Sequence, residues 1–262
     1  MALKIAVCVK RTPASTSAVL DASGKVQTKG LPHGINPFDE YAVEEALRLK
    51  EKLGGAVVVL SAGEAEAEEV VRNCIALGCD EGVVLADPAF AGSDGSVTAS
   101  ILAAALRKAG AQLVLFGKET NDGASGQMPA FTAAWLDWPS VVNVRKVTAA
   151  SDAELTVERL MEDGIDTLTV KTPAVLSVTK EINEPRLPSL KGKMAAKKAP
   201  VAKWGAADLG LAPETLGAAG SPTEVLLMEP VPARPGGVVI AGATPEEKAK
   251  ALVEKLKEAK FL

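Results

Sequence analysis

The stretch from Phe116 to Gln127 carries the residues of this sequence best suited to hold an anion. It leaves an apolar run typical of a buried strand, enters a run typical of a helix, and is rich in glycine and small polar residues. Ligands of open α/β sheets bind at such strand ends, where small residues let the backbone approach closely and free N–H groups attract negative charge. The segment therefore predicts a phosphate site at Gly123 to Gln127. An ordinary connecting loop is the alternative, because the segment is neither a GxGxxG motif nor a P-loop.

A second segment with functional potential lies at residues 34–40. Asn36 directly precedes Pro37, an arrangement typical of a helix N-cap followed by proline at the first helical position. Capping explains this pair without any ligand. The functional alternative is that the helix start lines the same cleft as the anion site and offers Asn36 and Asp39 to a base or a ribose. The sequence leaves both interpretations open.

Motifs of self-contained catalysis are absent from the sequence. There is no GxSxG, HExxH or CxxC motif, and no acid–base pair next to a nucleophile. One histidine, His33, and three scattered cysteines are too few for a zinc site or a disulfide framework. We therefore expect no catalytic residues and no metal. Any redox chemistry would have to come from a bound cofactor that the protein orients.

Composition narrows the class of protein further. The chain has 262 residues, of which 47% are hydrophobic and 24% charged, close to the average of soluble globular proteins. A formal net charge of -4 argues against nucleic acid as the main partner, because contacts to a phosphate backbone need a basic footprint. The sequence shows neither a secretory leader nor an apolar stretch long enough to span a membrane. We expect a cytoplasmic protein.

Strand-like and helix-like runs alternate along the first half of the chain. The apolar, strand-like runs are Leu3–Val9, Ala56–Ser61, Gly82–Ala86 and Gln112–Phe116. The helix-like runs are Pro37–Leu53, Glu64–Leu77, Ser96–Ala109 and Gln127–Leu136. Such alternation predicts βαβ units, hence an α/β fold with a doubly wound, mostly parallel sheet and helices on both faces.

Turn and cap residues add detail to this fold. Ser96 is the expected N-cap of its helix, and Gly78 and Gly110 stand where C-terminal caps belong. The dipeptide Asp163-Gly164 separates two alternating runs and favours a tight turn, because both residues tolerate positive φ. We therefore expect an antiparallel hairpin to be added to the sheet.

Regular patterning fades after residue 182. Prolines at 185 and 188 precede a basic run from Lys191 to Lys198, and such a stretch predicts an extended arm without secondary structure of its own. Residues from Pro245 to Phe261, with acidic residues first and lysines later, predict a terminal amphipathic helix. The chain thus divides into an α/β nucleotide-binding domain (1–182), an arm (183–204) and a C-terminal extension (205–262).

Several segments together resemble the electron-transfer flavoprotein β subunit. The resemblance runs from near the start to about residue 198, and it depends on the order and spacing of the segments rather than on a single motif. The segments are Val9-Lys10-Arg11, Ile35-Asn36-Pro37-Phe38, Glu44-Glu45-Ala46, Gly117-Lys118, Gly126-Gln127-Met128, Leu136-Asp137-Trp138-Pro139 and Asn183-Glu184-Pro185-Arg186.

The resemblance implies an adenine-nucleotide α-hydrolase-like sheet and a heterodimer in which an α subunit carries FAD while this chain binds AMP. In family members that split electron pairs, a second FAD replaces the AMP. The DGDTAQVG pattern associated with those members is missing here, which favours AMP. By position, the residues implied to border the nucleotide are Cys8, Asn36, Pro37, Phe38, Asp39, Ala62, Asn121, Asp122, Gly123, Ala124, Ser125, Gly126, Gln127 and Met128.

The resemblance also assigns a role to the arm. Members of the family use the loop after Asn-Glu-Pro-Arg to anchor a partner dehydrogenase with an inserted leucine, and Leu190 matches that position. The implied partner-binding residues are Asn183, Glu184, Pro185, Arg186 and Leu190. Implied partners are acyl-CoA or other flavin dehydrogenases as electron donors and a quinone oxidoreductase as acceptor, as in fatty acid oxidation, and the C-terminal extension would dock on the α subunit.

Two other functions are weighed against this one. A stand-alone adenine-nucleotide-binding regulatory protein would share the sheet but need neither a flavin-bearing partner nor the arm. A small-molecule transferase would need titratable groups converging on the cleft, and Asp39, Asp122 and Lys118 are a small set for that purpose.

Overall fold

The computed structural model describes residues 3–14, 19–21, 26–28, 30–229, 232 and 236–262. The chain divides into two compact units, one ending at Leu227 and one running from Met228 to Leu262. Among the described residues, no helix combines the length and the apolar character needed to cross a membrane.

The strands are short and mostly apolar. They are β1 (Lys4–Cys8), β2 (Arg11–Pro13), β3 (Val19–Leu20), β4 (Val26–Gln27), β5 (His33–Ile35), β6 (Ala56–Ala62), β7 (Glu81–Leu85), β8 (Leu113–Gly117), β9 (Ser140–Ala150), β10 (Glu154–Leu160), β11 (Ile165–Lys171), β12 (Ala174–Val178) and β13 (Val201–Trp204).

The helices are α1 (Pro37–Leu53), α2 (Glu68–Leu77), α3 (Gly95–Ala109), α4 (Met128–Leu136), α5 (Leu190–Lys198), α6 (Ala206–Leu209), α7 (Gly217–Gly220) and α8 (Pro245–Glu258). Three short 3₁₀ turns are at Ala65–Ala67, Pro88–Phe90 and Pro213–Thr215. The four long helices of the first half therefore match the predicted runs to within four residues at each end.

Nine strands of the described residues form the main sheet, in the order β11-β10-β9-β12-β8-β1-β6-β7-β13. Strands β12, β8, β1, β6, β7 and β13 run parallel to one another. The chain builds outward from β1 through β6 and β7, then crosses to the other side with β8. The doubly wound, mostly parallel sheet that the sequence predicts is confirmed, and its topological switch point lies between β1 and β8.

Apolar side chains cover both faces of this sheet. On one face, residues of α1 and α2 such as Val43 and Val71 pack with Val7 of β1. On the other face, residues of α3 and α4 such as Leu106 and Leu136 pack with the strand residues whose side chains lie on that face. Strands buried on both faces read as continuous apolar runs, which is why the sequence shows them so clearly.

The predicted hairpin is also confirmed. Strands β10 and β11 pair antiparallel, with Leu160 opposite Ile165 and Asp163-Gly164 in the turn between them. Strand β9 joins this hairpin to the parallel part, because its first residues run parallel to β12 and its later residues pair with β10. One predicted cap is wrong: Asp94, not Ser96, is the N-cap of α3, and its side chain accepts from the Val97 N–H at 2.9 Å.

The segment expected to lack secondary structure contains a helix and a strand. Ser189 caps α5 by accepting the Gly192 N–H at 3.0 Å, and β13 adds a parallel strand to the edge of the sheet beside β7. The sequence gives little sign of α5, since Ala196 is its one buried residue among those described. This segment is held in place by distant residues of α1 and α2, which no local pattern reveals.

The second unit contains α8. Thr244 caps this helix by accepting the Glu247 N–H at 3.2 Å, and Glu247 accepts the Ala243 N–H at 2.8 Å in return. These two bonds on either side of the N-cap explain the predicted start at Pro245. The helix ends at Glu258, three residues before the predicted end.

Candidate functional site

A cleft of about 920 Å³ opens at the switch point of the sheet. Its walls come from the segments that follow β1, β6, β7 and β8, where a parallel sheet presents its carboxyl ends. That volume lies within the range of small-molecule and cofactor sites. The architecture therefore places the main candidate binding site where the sequence predicts it.

Asp39, in the first turn of α1, fixes the base of the cleft. Its side chain accepts the Lys10 N–H at 2.8 Å and also binds the N–H of Gly117. Burial raises the pKa of Asp39 to about 7, although these bonds and one from Asn36 act in the opposite direction. A carboxyl with a pKa of about 7 is about half protonated at neutral pH, so it adds less negative charge to the floor of the cleft than an ordinary aspartate, which suits an anionic ligand.

Gly117 allows β8 to approach the start of α1. A Cβ at this position would lie 2.5 Å from Asp39 Oδ1 and 2.6 Å from the carbonyl carbon of Phe38. Real Cβ atoms do not approach other atoms this closely, so the strand and the helix meet only because the residue is glycine. The contact holds the two walls of the cleft together.

Asn36 occupies the N-cap position of α1, but its side chain does not cap the helix. Its Nδ2 donates to the Glu119 carbonyl at 2.9 Å, and its Oδ1 accepts from the Asn121 N–H at 3.1 Å. The side chain is fully buried and tied to the loop after β8. The predicted N-cap position of Asn36 ahead of Pro37 is confirmed, although its side chain positions the loop instead of capping the helix.

Lys10 and Asp122 connect the end of β1 to the same loop. Their charged groups are 2.7 Å apart, from Nζ to Oδ2. Burial by itself would raise the pKa of Asp122, but hydrogen bonds from Lys10 and Thr120, together with the charge of Lys10, outweigh it and lower that pKa. The carboxylate is therefore ionised, and its charge is compensated by Lys10.

The next part of the loop, residues 123–127, is exposed and has free backbone donors. Within the described residues, the N–H groups of Gly123, Ser125 and Gly126 make no hydrogen bond to protein. Ala124 and Gly126 both adopt positive φ, 47° and 62°, which turns successive amides in different directions. Lys118 lines the cleft beside them and forms no ion pair with any described residue. Free amides and an unpaired lysine fit a phosphate group.

The sequence-predicted residues separate into two groups. Those that line the cleft are Cys8, Asp39, Ala62, Gly123, Ser125, Gly126 and Met128. Those that lie outside its lining are Asn36, Pro37, Phe38, Asn121, Asp122, Ala124 and Gln127. The second group includes the residues that support the loop from behind, and nucleotide contact by either group stays a prediction.

Cys8 ends β1 with a buried thiol. Burial, and secondarily the charge of Asp39, raise the pKa of this thiol well above its ordinary value. The side chain is therefore a neutral, inert part of the cleft wall rather than a nucleophile.

One wall of the cleft is absent from the sequence-predicted set. It runs from Asp87 through Phe90 to Asp94 and continues to Thr98 on α3. Both aspartates serve as caps, since Asp87 accepts the N–H groups of Ala89 and Ala206 and Asp94 accepts that of Val97. Its place in the chain could have indicated this wall, because the segment follows the third parallel strand just as the other walls follow their own strands.

The partner-binding residues implied for the arm also fall into two groups, those that contact α1 and one that is exposed. Asn183 donates to the Tyr41 carbonyl and to Glu45, and Arg186 pairs with Glu44 and Glu51, so these two face α1. The carbonyl of Glu184 accepts from Arg48 at 3.3 Å. Leu190, at the first position of α5, is 77% exposed and lines a shallow apolar hollow with Met194.

Comparison with known proteins fits this architecture. The family model described as "Electron transfer flavoprotein domain" matches residues 23–209. The chain belongs to the electron transfer flavoprotein family. "Caffeyl-CoA reductase-Etf complex subunit CarD" of Acetobacterium woodii is 38% identical over 259 residues, covering 98% of each chain.

Other members of the electron transfer flavoprotein family align over nearly the same length. "Electron transfer flavoprotein subunit beta" of Thermoanaerobacterium thermosaccharolyticum is 39% identical, covering 97% of this chain and 98% of its own. "Protein FixA" of Bradyrhizobium diazoefficiens is 34% identical, covering 95% and 89%. The predicted resemblance is confirmed: the chain is a β-type subunit of the electron transfer flavoprotein family, which acts in electron transfer.

Proposed function

We propose that this chain is the β subunit of a cytoplasmic heterodimer, binds AMP in the cleft, and docks donor dehydrogenases so that FAD on the α subunit can pass electrons onward. The observation that carries the proposal is the group of unpaired amides at Gly123, Ser125 and Gly126 beside Lys118, at the switch point of the sheet. This donor set fits one phosphate group. Full-length similarity to proteins named as subunits of Etf complexes supports the α partner.

In this role the chain carries out no substrate chemistry of its own. The aspartates around the cleft are engaged in holding the structure: Asp39 binds backbone amides, Asp94 caps α3, and Asp122 pairs with Lys10. FAD on the partner would supply the redox chemistry, and this chain would supply position and electrostatics. Electrons would come from acyl-CoA or other flavin dehydrogenases and leave to a quinone oxidoreductase.

One observation favours the alternative of a second FAD in place of AMP. The cleft extends past the phosphate loop to the wall at Asp87–Asp94, which leaves room for a larger nucleotide. Coexpression with a candidate α subunit, followed by denaturation and chromatography of the released nucleotides, separates the two. One FAD and one AMP per heterodimer supports the proposal, whereas two FAD and no AMP supports the alternative. Purification of the chain alone, with bound adenine nucleotide and without an α subunit, would favour the stand-alone regulatory protein.

Docking of the donor is proposed for the exposed side of α5. Leu190 and Met194 are 77% and 61% exposed, and the lysines at 191 and 198 border the same hollow. An apolar side chain projecting from a fixed helix can fill a pocket on a partner and contribute most of the binding energy. Leu190→Ala is expected to raise the donor concentration needed for half-maximal electron transfer without changing the bound flavin. The C-terminal extension, residues 205–262, is proposed to dock on the α subunit.

A further inference from the structure

Arg186 fastens the segment before α5 to helix α1. Its Nε donates to Glu44 Oε2 at 2.7 Å, its Nη2 donates to Glu51 Oε2 at 3.1 Å, and its backbone N–H also reaches Glu44. The Glu44 side chain is only 4% exposed and is held from the other side by Arg48 at 2.7 Å. The hydrogen bonds to Glu51 and Glu44 raise the pKa of Arg186, so it remains a cation throughout the physiological range. This end of the segment is therefore fixed by a two-carboxylate clamp.

Arg72 fastens the other end of α5 to helix α2. Its Nη1 donates to the carbonyls of Ala196 and Ala199 at 2.6 and 3.1 Å. The last carbonyls of a helix lack intrahelical partners and carry partial negative charge, so a guanidinium is well suited to hold them. Glu68 orients Arg72 through a bond of 2.9 Å to Nε.

The middle of α5 lies directly on the end of α2. A Cβ at Gly192 would collide with the carbonyl oxygen of Ala76. Ala196 is the one buried residue of α5 among those described, so apolar burial contributes little to holding the helix. Its position therefore depends on the two arginines and on the close approach at Gly192.

We propose that Arg186 and Arg72 are positioning residues that hold the docking face of α5, Leu190 and Met194, in a preformed orientation for the donor. This inference rests on the proposed function of α5 as the donor-docking helix. A face that is ordered before binding spares the complex the entropic cost of ordering it, and that cost otherwise weakens affinity. The two arginines would thus affect donor affinity without touching the donor.

The test compares Arg186→Lys, Arg72→Lys and Gly192→Ala with Leu190→Ala in the coexpressed heterodimer. Lysine keeps the charge but offers no fork that spans two acceptors. Arg159→Lys is the matched control, because Arg159 pairs with Asp166 at 2.9 Å with similar exposure in the distant β10–β11 hairpin. Hydrogen exchange of the α5 amides is measured first. Short- and medium-chain acyl-CoA dehydrogenases are tried as donors until one reduces the wild-type complex. Reduction of the flavin by that donor is then followed in every variant.

The three positioning variants are expected to show faster exchange in α5 alone and an increase in KM for the donor of about tenfold, equivalent to about 1.4 kcal/mol. The kcat, bound nucleotide and bound FAD should stay unchanged, as should all values for Arg159→Lys. The inference would be overturned if α5 exchange were unaltered in the positioning variants, or if their KM were unaltered while that of Leu190→Ala was raised. Either result would leave donor docking intact. An unaltered KM in Leu190→Ala itself would overturn the docking function.

Discussion

Asn36 and Asn121 are joined across the mouth of the cleft by a hydrogen bond of 3.1 Å, from the backbone N–H of Asn121 to Oδ1 of Asn36. The same side chain donates to the Glu119 carbonyl, so one buried amide holds two points of the loop that carries the free phosphate donors. The first turn of α1 and the loop after β8 are in this way a single unit. The shape of the candidate phosphate site depends on a residue that does not line it.

Asn36→Ala should loosen this loop. Both bonds are lost and two partly buried backbone groups are left without these partners, which costs up to about 1–3 kcal/mol for each such group. We expect lower stability and loss of bound AMP during purification. Asn36→Asp is the informative companion, because it keeps an acceptor for Asn121 but loses the donor to Glu119. Equal AMP content in Asn36→Ala and the wild type would show that the loop holds its shape unaided.

Gly117→Ala should separate β8 from α1. The added Cβ meets the backbone of Phe38 and the carboxyl of Asp39, neither of which can move away freely. Overpacking of this kind costs about 1–3 kcal/mol or more, visible as a lower midpoint of urea unfolding. Gly164→Ala is the control, since a Cβ there meets nothing within 4 Å. The prediction fails if both variants unfold at the same urea concentration.

Asp39→Asn should change how stability varies with pH. The pKa of Asp39 is raised from an ordinary 3.8 to about 7 by burial, so the folded protein holds a proton that the unfolded chain releases. The stabilisation from this group is complete below pH 3.8 and is lost as the pH rises to about 7. The stability of Asp39→Asn relative to the wild type should therefore increase from pH 4 to pH 7 and level off above it. A constant difference across that range, in urea titrations, would contradict the raised pKa.

Asp122→Asn should strengthen AMP binding. The Asp122 carboxylate lies on the loop that is proposed to hold the phosphate, and Lys10 compensates its charge. Removing the carboxylate frees Lys10 to face the ligand, whereas Lys10→Gln leaves the carboxylate uncompensated and should weaken binding. Calorimetric titration of nucleotide-free protein with AMP is expected to show opposite changes, each larger at low salt. Changes of the same sign in the two variants would show that the pair does not act through charge.

Local pattern was sufficient to predict the parallel strands β1, β6, β7 and β8, the hairpin, and a loop between β8 and α4. Runs such as Leu113–Gly117 are buried on both faces, and Asp163-Gly164 separates two alternating runs, although neither residue adopts the positive φ that the turn signal assumes. Local pattern was insufficient wherever a residue more than 80 positions away decides the outcome. Helix α5 depends on Arg72, and the role of Asn36 depends on Glu119 and Asn121. The missing wall at Asp87–Asp94 shows the same limit, since its residues are ordinary caps that become part of a site through topology.

Glu44→Gln should test the attachment of the arm through its pH dependence. Burial alone would raise the pKa of Glu44, but hydrogen bonds from Arg186 and Arg48 outweigh it and lower the pKa below the ordinary 4.5. A carboxylate with a lowered pKa contributes stability above pH 4.5 and loses it as the pH falls through the folded-state value. The wild type should therefore protect the α5 amides better than Glu44→Gln at pH 7, and the two should converge as the pH falls below 4.5. Glu154→Gln, on β10 and without an ion pair among the described residues, is the control that should match the wild type throughout. Persistent extra protection of the wild type at low pH would show that the charge of Glu44 is not what attaches the arm to α1.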